Sequence, residues 1–112
     1  MARAATTTDV FNAIAEPRRR EIIGVLGRGG AVGVGELVLA LRLPQPAVSK
    51  HLAVLRQVGI VSMAKRGRRR MYQLEPKELK VVHDWVKTFE RFWDRQLLRI
   101  KEAAEMKARD GE

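Results

Sequence analysis

The chain has 112 residues, 46% of them hydrophobic, no cysteine, and a formal net charge of +9. That length holds one modest core, so a single domain is expected over 1–112. The missing cysteines exclude a disulfide framework and thiolate metal sites, and no apolar run is long enough to span a membrane.

The opening residues, MARAATTTDV, lack the apolar middle of a secretory signal, which predicts a cytoplasmic protein. The charge excess favours a polyanionic partner, either nucleic acid or an anionic membrane surface. Its placement decides between them. Residues 65–70, KRGRRR, carry five cations and no acid, whereas 77–110 carry nine cations against seven acids. A localised basic spike suits an element that contacts phosphates; a membrane-surface helix spreads its Lys and Arg along one face.

In chain order, residues 8–15 read as a short helix capped by Thr7 or Thr8, with Phe11 and Ile14 inward. Pro17 ends that helix and opens a second, which runs to about Arg28 with Ile22, Ile23 and Leu26 as its apolar stripe. Gly33 can cap a third helix that has Glu36 in its first turn and Leu37, Ala40 and Leu41 on one face. After Arg42-Leu43-Pro44 a fourth helix covers 45–57, and Gly59 closes it. The period then changes. Residues 60–65 and 69–74 are short strands around a turn at Gly67, hence a basic-tipped hairpin in which Tyr72 and Leu74 anchor the strands. Pro76 opens a last helix that runs to about Arg109.

Projected at 100° per residue, helix 45–57 turns Val48, Leu52 and Leu55 to the core, with Ala47, His51 and Val54 beside them. Pro46, Ser49, Lys50, Ala53 and Gln57 lie opposite, with Gln45 and Arg56 at the margin; no acid interrupts that face. Gln45 can pair with an adenine edge, Ser49 with a base or phosphate, and Lys50 with guanine or phosphate, while Arg56 meets the backbone. Lys65, Arg66, Arg68, Arg69 and Arg70 suit phosphate neutralisation or insertion into a narrow minor groove. His51, beside the core stripe, reads as a structural histidine rather than a ligand.

A helix of some thirty residues is about 45–50 Å long, more than so small a domain covers. Its apolar positions Val82, Val86, Phe89, Trp93, Leu97 and Ile100 recur at three- and four-residue steps, and an exposed stripe of that kind demands a partner. A second copy is the simplest, joined about a two-fold axis, with Phe11 and Ile14 adding to the interface. The pattern is mainly α with a small β-hairpin wing: a winged helix-turn-helix over 34–57 and 60–75, with dimerisation helices at 1–16 and 76–110. Double-stranded DNA and a homodimer are the expected partners. An architectural DNA-binding protein without strong sequence preference is the alternative. An enzyme is excluded: with two histidines, no cysteine and no Gly-rich phosphate loop, no nucleophile–base pair can be assembled.

The segment LPQPAVSKHLAVLRQVGIV followed by RGRRRMYQL resembles the ArsR/SmtB family of bacterial regulators, and EPRRREIIGVL and GELVLAL upstream fit it as well. The resemblance implies a dimeric repressor that leaves its operator when an inducer binds, although no residue pattern names that inducer. By motif position it places Gln45, Pro46, Ser49 and Lys50 on the DNA-reading surface and residues 65–70 in the wing. Many relatives carry a cysteine metal motif where this chain has GVGELVLAL, and others build zinc sites on the last helix, where only His83 and Asp84 stand. With RFWD at 91–94, the chain resembles the metal-independent branch, with no metal or other cofactor. Pro44 replaces the hydroxyl residue that often caps the recognition helix.

Overall fold

The computed structural model describes residues 9–110, which divide after Lys80 into two compact units. The first begins with α1 (Val10–Ala15) and α2 (Pro17–Leu26). Thr7 and Thr8, the expected caps, lie outside the described residues; Asp9 caps α1, its carboxylate accepting from the Asn12 N–H at 2.6 Å. Pro17 breaks the chain as expected, and Glu16 caps α2 through the Arg18 N–H at 2.6 Å. The carbonyls left over at the end of α1 are taken by arginine side chains. Arg19 Nε donates to the Ala13 carbonyl at 2.6 Å, and Arg20 donates to those of Ile14 and Ala15 at 2.8 and 3.0 Å. Part of the positive charge therefore serves the fold.

Two residues, β1 (Val32–Gly33), precede α3 (Val34–Leu41), and α4 spans Gln45–Gln57, the bounds the sequence predicts. Leu37 and Leu41 of α3 are buried with Val48, Leu52 and Leu55 of α4. Ala40 departs from expectation: it is exposed, and Val38 packs against the core in its place. Pro44 is the N-cap of α4 without any side-chain bond, and its carbonyl receives the Ala47 and Val48 N–H groups.

The end of α4 is sharply built. The Gly59 N–H bonds the Arg56 carbonyl, the Ile60 N–H bonds the Leu55 carbonyl, and Gly59 has φ +82°. This is the Schellman stop, which drops Ile60 into the core fully buried. Gly59→Ala puts a side chain in the left-handed region, with its Cβ 3.1 Å from Glu78 Cγ. It is expected to cost about 1–2 kcal/mol in urea unfolding; an unchanged midpoint would contradict this account of the stop.

Strands β2 (Val61–Arg66) and β3 (Arg69–Leu74) form the predicted hairpin, closed by Gly67 and Arg68, with positive φ only at Gly67 as a type II′ turn requires. Tyr72 is buried and Leu74 partly so, as expected of anchors. The sheet has a third strand that the sequence does not announce. β1 pairs antiparallel with β3, Val32 opposite Tyr72 and Gly33 opposite Met71, in the order β1-β3-β2. Two residues carry too little alternation to register as a strand.

The expected single helix from Pro76 to Arg109 is not continuous. Pro76–Leu79 form a 3₁₀ turn, α5 covers Lys80–Lys87, and α6 covers Glu90–Asp110. At the break the ladder tightens to three-residue spacing: Thr88 N–H to Trp85 carbonyl, Phe89 N–H to Val86 carbonyl. The Thr88 hydroxyl also donates to the Trp85 carbonyl at 2.7 Å, the local competition by which threonine weakens helix interiors. Trp85 and Phe89 meet edge to face across the break, centroids 5.4 Å apart. Among the described residues, no helix is long and apolar enough to cross a membrane.

Candidate nucleic-acid interface

The burial pattern of α4 turns its polar face outward. Val48, Leu52 and Leu55 are buried, His51 and Val54 partly so, and Gln45, Pro46, Ser49, Lys50, Ala53, Arg56 and Gln57 are exposed. Lys65, Arg66, Arg68, Arg69 and Arg70 are all exposed on the wing. In the strand register Lys65 faces Arg70 and Arg66 faces Arg69. Because successive strand residues alternate faces, these two pairs lie on opposite sides of the hairpin. Arg68 sits in the turn between them.

One cleft of ≈ 410 Å³ joins helix and wing. It is lined by Gln45 and Ser49 from α4, by Arg68, Arg69, Arg70 and Tyr72 from the wing, and by Gly33, Val34 and Gly35 where α3 begins. Of the sequence-predicted DNA residues, Gln45, Ser49, Arg68, Arg69 and Arg70 therefore share one concavity. Pro46, Lys50, Arg56, Lys65 and Arg66 are exposed but outside its lining. Three arginines, a serine and a glutamine thus contribute to its lining, residue types that can bind phosphate and base edges. Sequence reasoning misses the start of α3 as part of the site; the available signal is Gly33 as a helix cap, whose proximity to the wing only the sheet reveals.

An acid also reaches this site. Glu36 Oε1 accepts from Arg69 Nη2 at 3.1 Å and from the Gly33 N–H at 3.3 Å. The two histidines have carboxylate neighbours. His51 Nε2 lies 3.7 Å from Glu16 Oε2, and His83 Nδ1 lies 3.4 Å from Asp84 Oδ1.

The residues expected at a dimer interface fall in both units. On α1, Phe11 is exposed and Ile14 packs partly against the core. In the second unit Val82 and Val86 are partly covered, while Trp93, Leu97 and Ile100 are 45%, 61% and 63% exposed. Phe92 and Leu98, outside the predicted stripe, are exposed as well and widen the apolar surface.

Comparison with known proteins agrees with this architecture. The family of bacterial regulatory proteins named arsR matches residues 16–63, which cover α2 through the first part of β2. The chain is 39% identical over 87 residues to the HTH-type transcriptional regulator Rv2034 of Mycobacterium tuberculosis, 78% of either protein. It is 31% identical over 81 residues to the transcriptional repressor SdpR of Bacillus subtilis, covering 72% of this chain and 89% of that one. An ArsR-like transcriptional regulator from Rhodococcus sp. RHA1 superposes with a TM-score of 0.68 at 33% identity, over 90% of this chain and 92% of that structure. The chain belongs to the arsR family of bacterial transcription regulators, DNA-binding proteins built on a winged helix-turn-helix.

Proposed function

We propose that the chain represses transcription as a cytoplasmic homodimer bound to a palindromic operator, reading bases with α4 and phosphates with the wing. The observation that carries this proposal is the shared cleft, where the helix face bearing Gln45 and Ser49 meets Arg68, Arg69 and Arg70. Gln45 and Ser49 meet base edges, with Pro46 packing at the start of the helix and Lys50 on guanine or phosphate. Arg56, Lys65, Arg66, Arg68 and Arg70 neutralise phosphates. Arg69 adds the donors left over from its pair with Glu36, since a guanidinium has five.

Each copy offers two apolar surfaces for pairing: Phe11 and Ile14 on α1, and the stripe Val82, Val86, Phe89, Trp93, Leu97 and Ile100. A two-fold pair would set two recognition helices about 34 Å apart, one turn of the duplex. No catalytic step and no cofactor enter this function. The chain acts as a metal-independent member, in keeping with the absence of cysteine from its sequence.

Selection of bound duplexes from a random pool tests the proposal. It is expected to return an inverted repeat, the same with and without a chelator, preferred over random DNA by at least ~10³. Gln45→Ala and Ser49→Ala should each relax preference at one base pair of each half-site, by about 1–3 kcal/mol where a bidentate pair is lost. A pool that returns no common site would favour the architectural alternative.

A further inference from the structure

We propose that Glu36 is a positioning residue for DNA binding: it braces the wing by holding the Arg69 guanidinium against the start of α3. The inference rests on the wing's contact with DNA proposed above. Three observations converge on the brace. Glu36 Oε1 accepts from Arg69 Nη2 at 3.1 Å, joining residues 33 positions apart in sequence. The same oxygen accepts from the Gly33 N–H at 3.3 Å, so the carboxylate is held from both sides. Gly33 also leaves the space the guanidinium occupies: a Cβ there would stand 2.9 Å from Arg69 Nη2.

Both side chains are more than half exposed, and it is the backbone that fixes where they meet. Gly33 is at once the residue of β1 that faces Met71 of β3 and the N-cap of α3. Arg69 lies two residues before Met71, at the base of the turn that carries Arg68. The Glu36–Arg69 bridge therefore ties the first turn of α3 to the strand that aims the wing tip. A long arginine side chain loses considerable rotamer entropy when it meets a phosphate. An arginine already paired with Glu36 has lost part of it beforehand, and binding gains from that preorganisation.

The charge of Glu36 gives the proposal a test by sign. A carboxylate beside a DNA-binding cleft repels phosphates, so its removal, if charge were all that mattered, would tighten binding to every duplex. The brace predicts the reverse. Glu36→Ala is expected to weaken operator binding about 3- to 5-fold per subunit, the range of an exposed ion pair. Glu36→Gln, which keeps an acceptor without the charge, should fall between it and the parent.

Gly33→Ala, which keeps the carboxylate but displaces the guanidinium, should weaken binding similarly, and the double variant should be no weaker than either alone. Affinities are read by fluorescence anisotropy at fixed salt on proteins whose unfolding midpoints match the parent's. Equal or tighter binding by Glu36→Ala, or additive losses in the double variant, would overturn the brace. Arg68→Ala run alongside separates the two levels: if it too leaves binding unchanged, the wing's contact with DNA fails and the brace with it.

Discussion

A Trp93→Asp protein is expected to sediment as a single subunit and to bind operator some 10²–10⁴-fold more weakly than the parent. The expectation follows from where Trp93 lies. It stands on α6 between Phe89 and Leu97 at four-residue spacing, and it is 45% exposed, far more than a core tryptophan. An aromatic of this size covers 150–250 Å² when fully buried, and central tryptophans are typical anchors of interfaces, worth roughly 2 kcal/mol or more on truncation. An aspartate there must lose its hydration on pairing, in both copies at once. Losing the pair separates two half-site contacts that had acted together, and the effective concentration they lose sets the size of the drop. The unfolding of residues 9–80 should be unaffected, because the core of Ile22, Leu26, Leu37, Leu52, Leu55 and Ile60 lies in the other unit. Dimers that persist in sedimentation velocity would rule out the stripe as the interface.

The second large effect belongs to the wing. Replacing Arg66, Arg68 and Arg70 together with alanine is expected to weaken binding to operator and random duplex alike. Its fingerprint is the salt dependence. The log–log slope should flatten by ~0.9 for each phosphate no longer neutralised, hence by up to about 5 in a dimer short of three arginines per subunit. Arg69 is left in place because its Nη2 is paired with Glu36, and its removal would mix a missing cation with a moved wing. A slope equal to the parent's would show that these cations face solvent in the complex. Reduced discrimination between operator and random DNA, without a change of slope, would place the arginines on bases instead. The two variants are also distinguishable from each other, since Trp93→Asp should leave the wing's hold on phosphates within each subunit intact.

The agreement between sequence and structure is closest where one local rule acts alone. Helix α4 begins at Gln45 and ends at Gln57 as expected, because a proline near its start and a glycine past its end are local signals. Its inner face of Val48, Leu52 and Leu55 follows from helical periodicity, and the core accepts it without adjustment. The hairpin obeys the same logic, since Gly67 supplies the positive φ its two-residue loop needs. Thr88 is equally visible in the sequence, but its effect on the last helix is not. A threonine inside an apolar period is common, and nothing local says that its hydroxyl will bond Trp85 and tighten the ladder there.

Composition and periodicity alone are therefore enough for a cationic, mainly helical reader of duplex DNA with an arginine-tipped hairpin and an apolar C-terminal stripe. These depend on residue type and on spacings of a few positions, and such terms survive in an unfolded chain. What needs the folded chain is the set of pairings between residues far apart in sequence. Val32 and Gly33 become a strand only because β3 offers its edge, and Glu36 meets Arg69 only because that pairing brings the wing to the first turn of α3. Hydrogen bonds and ion pairs of this kind act over about 3 Å, so they exist only after packing has brought their partners together.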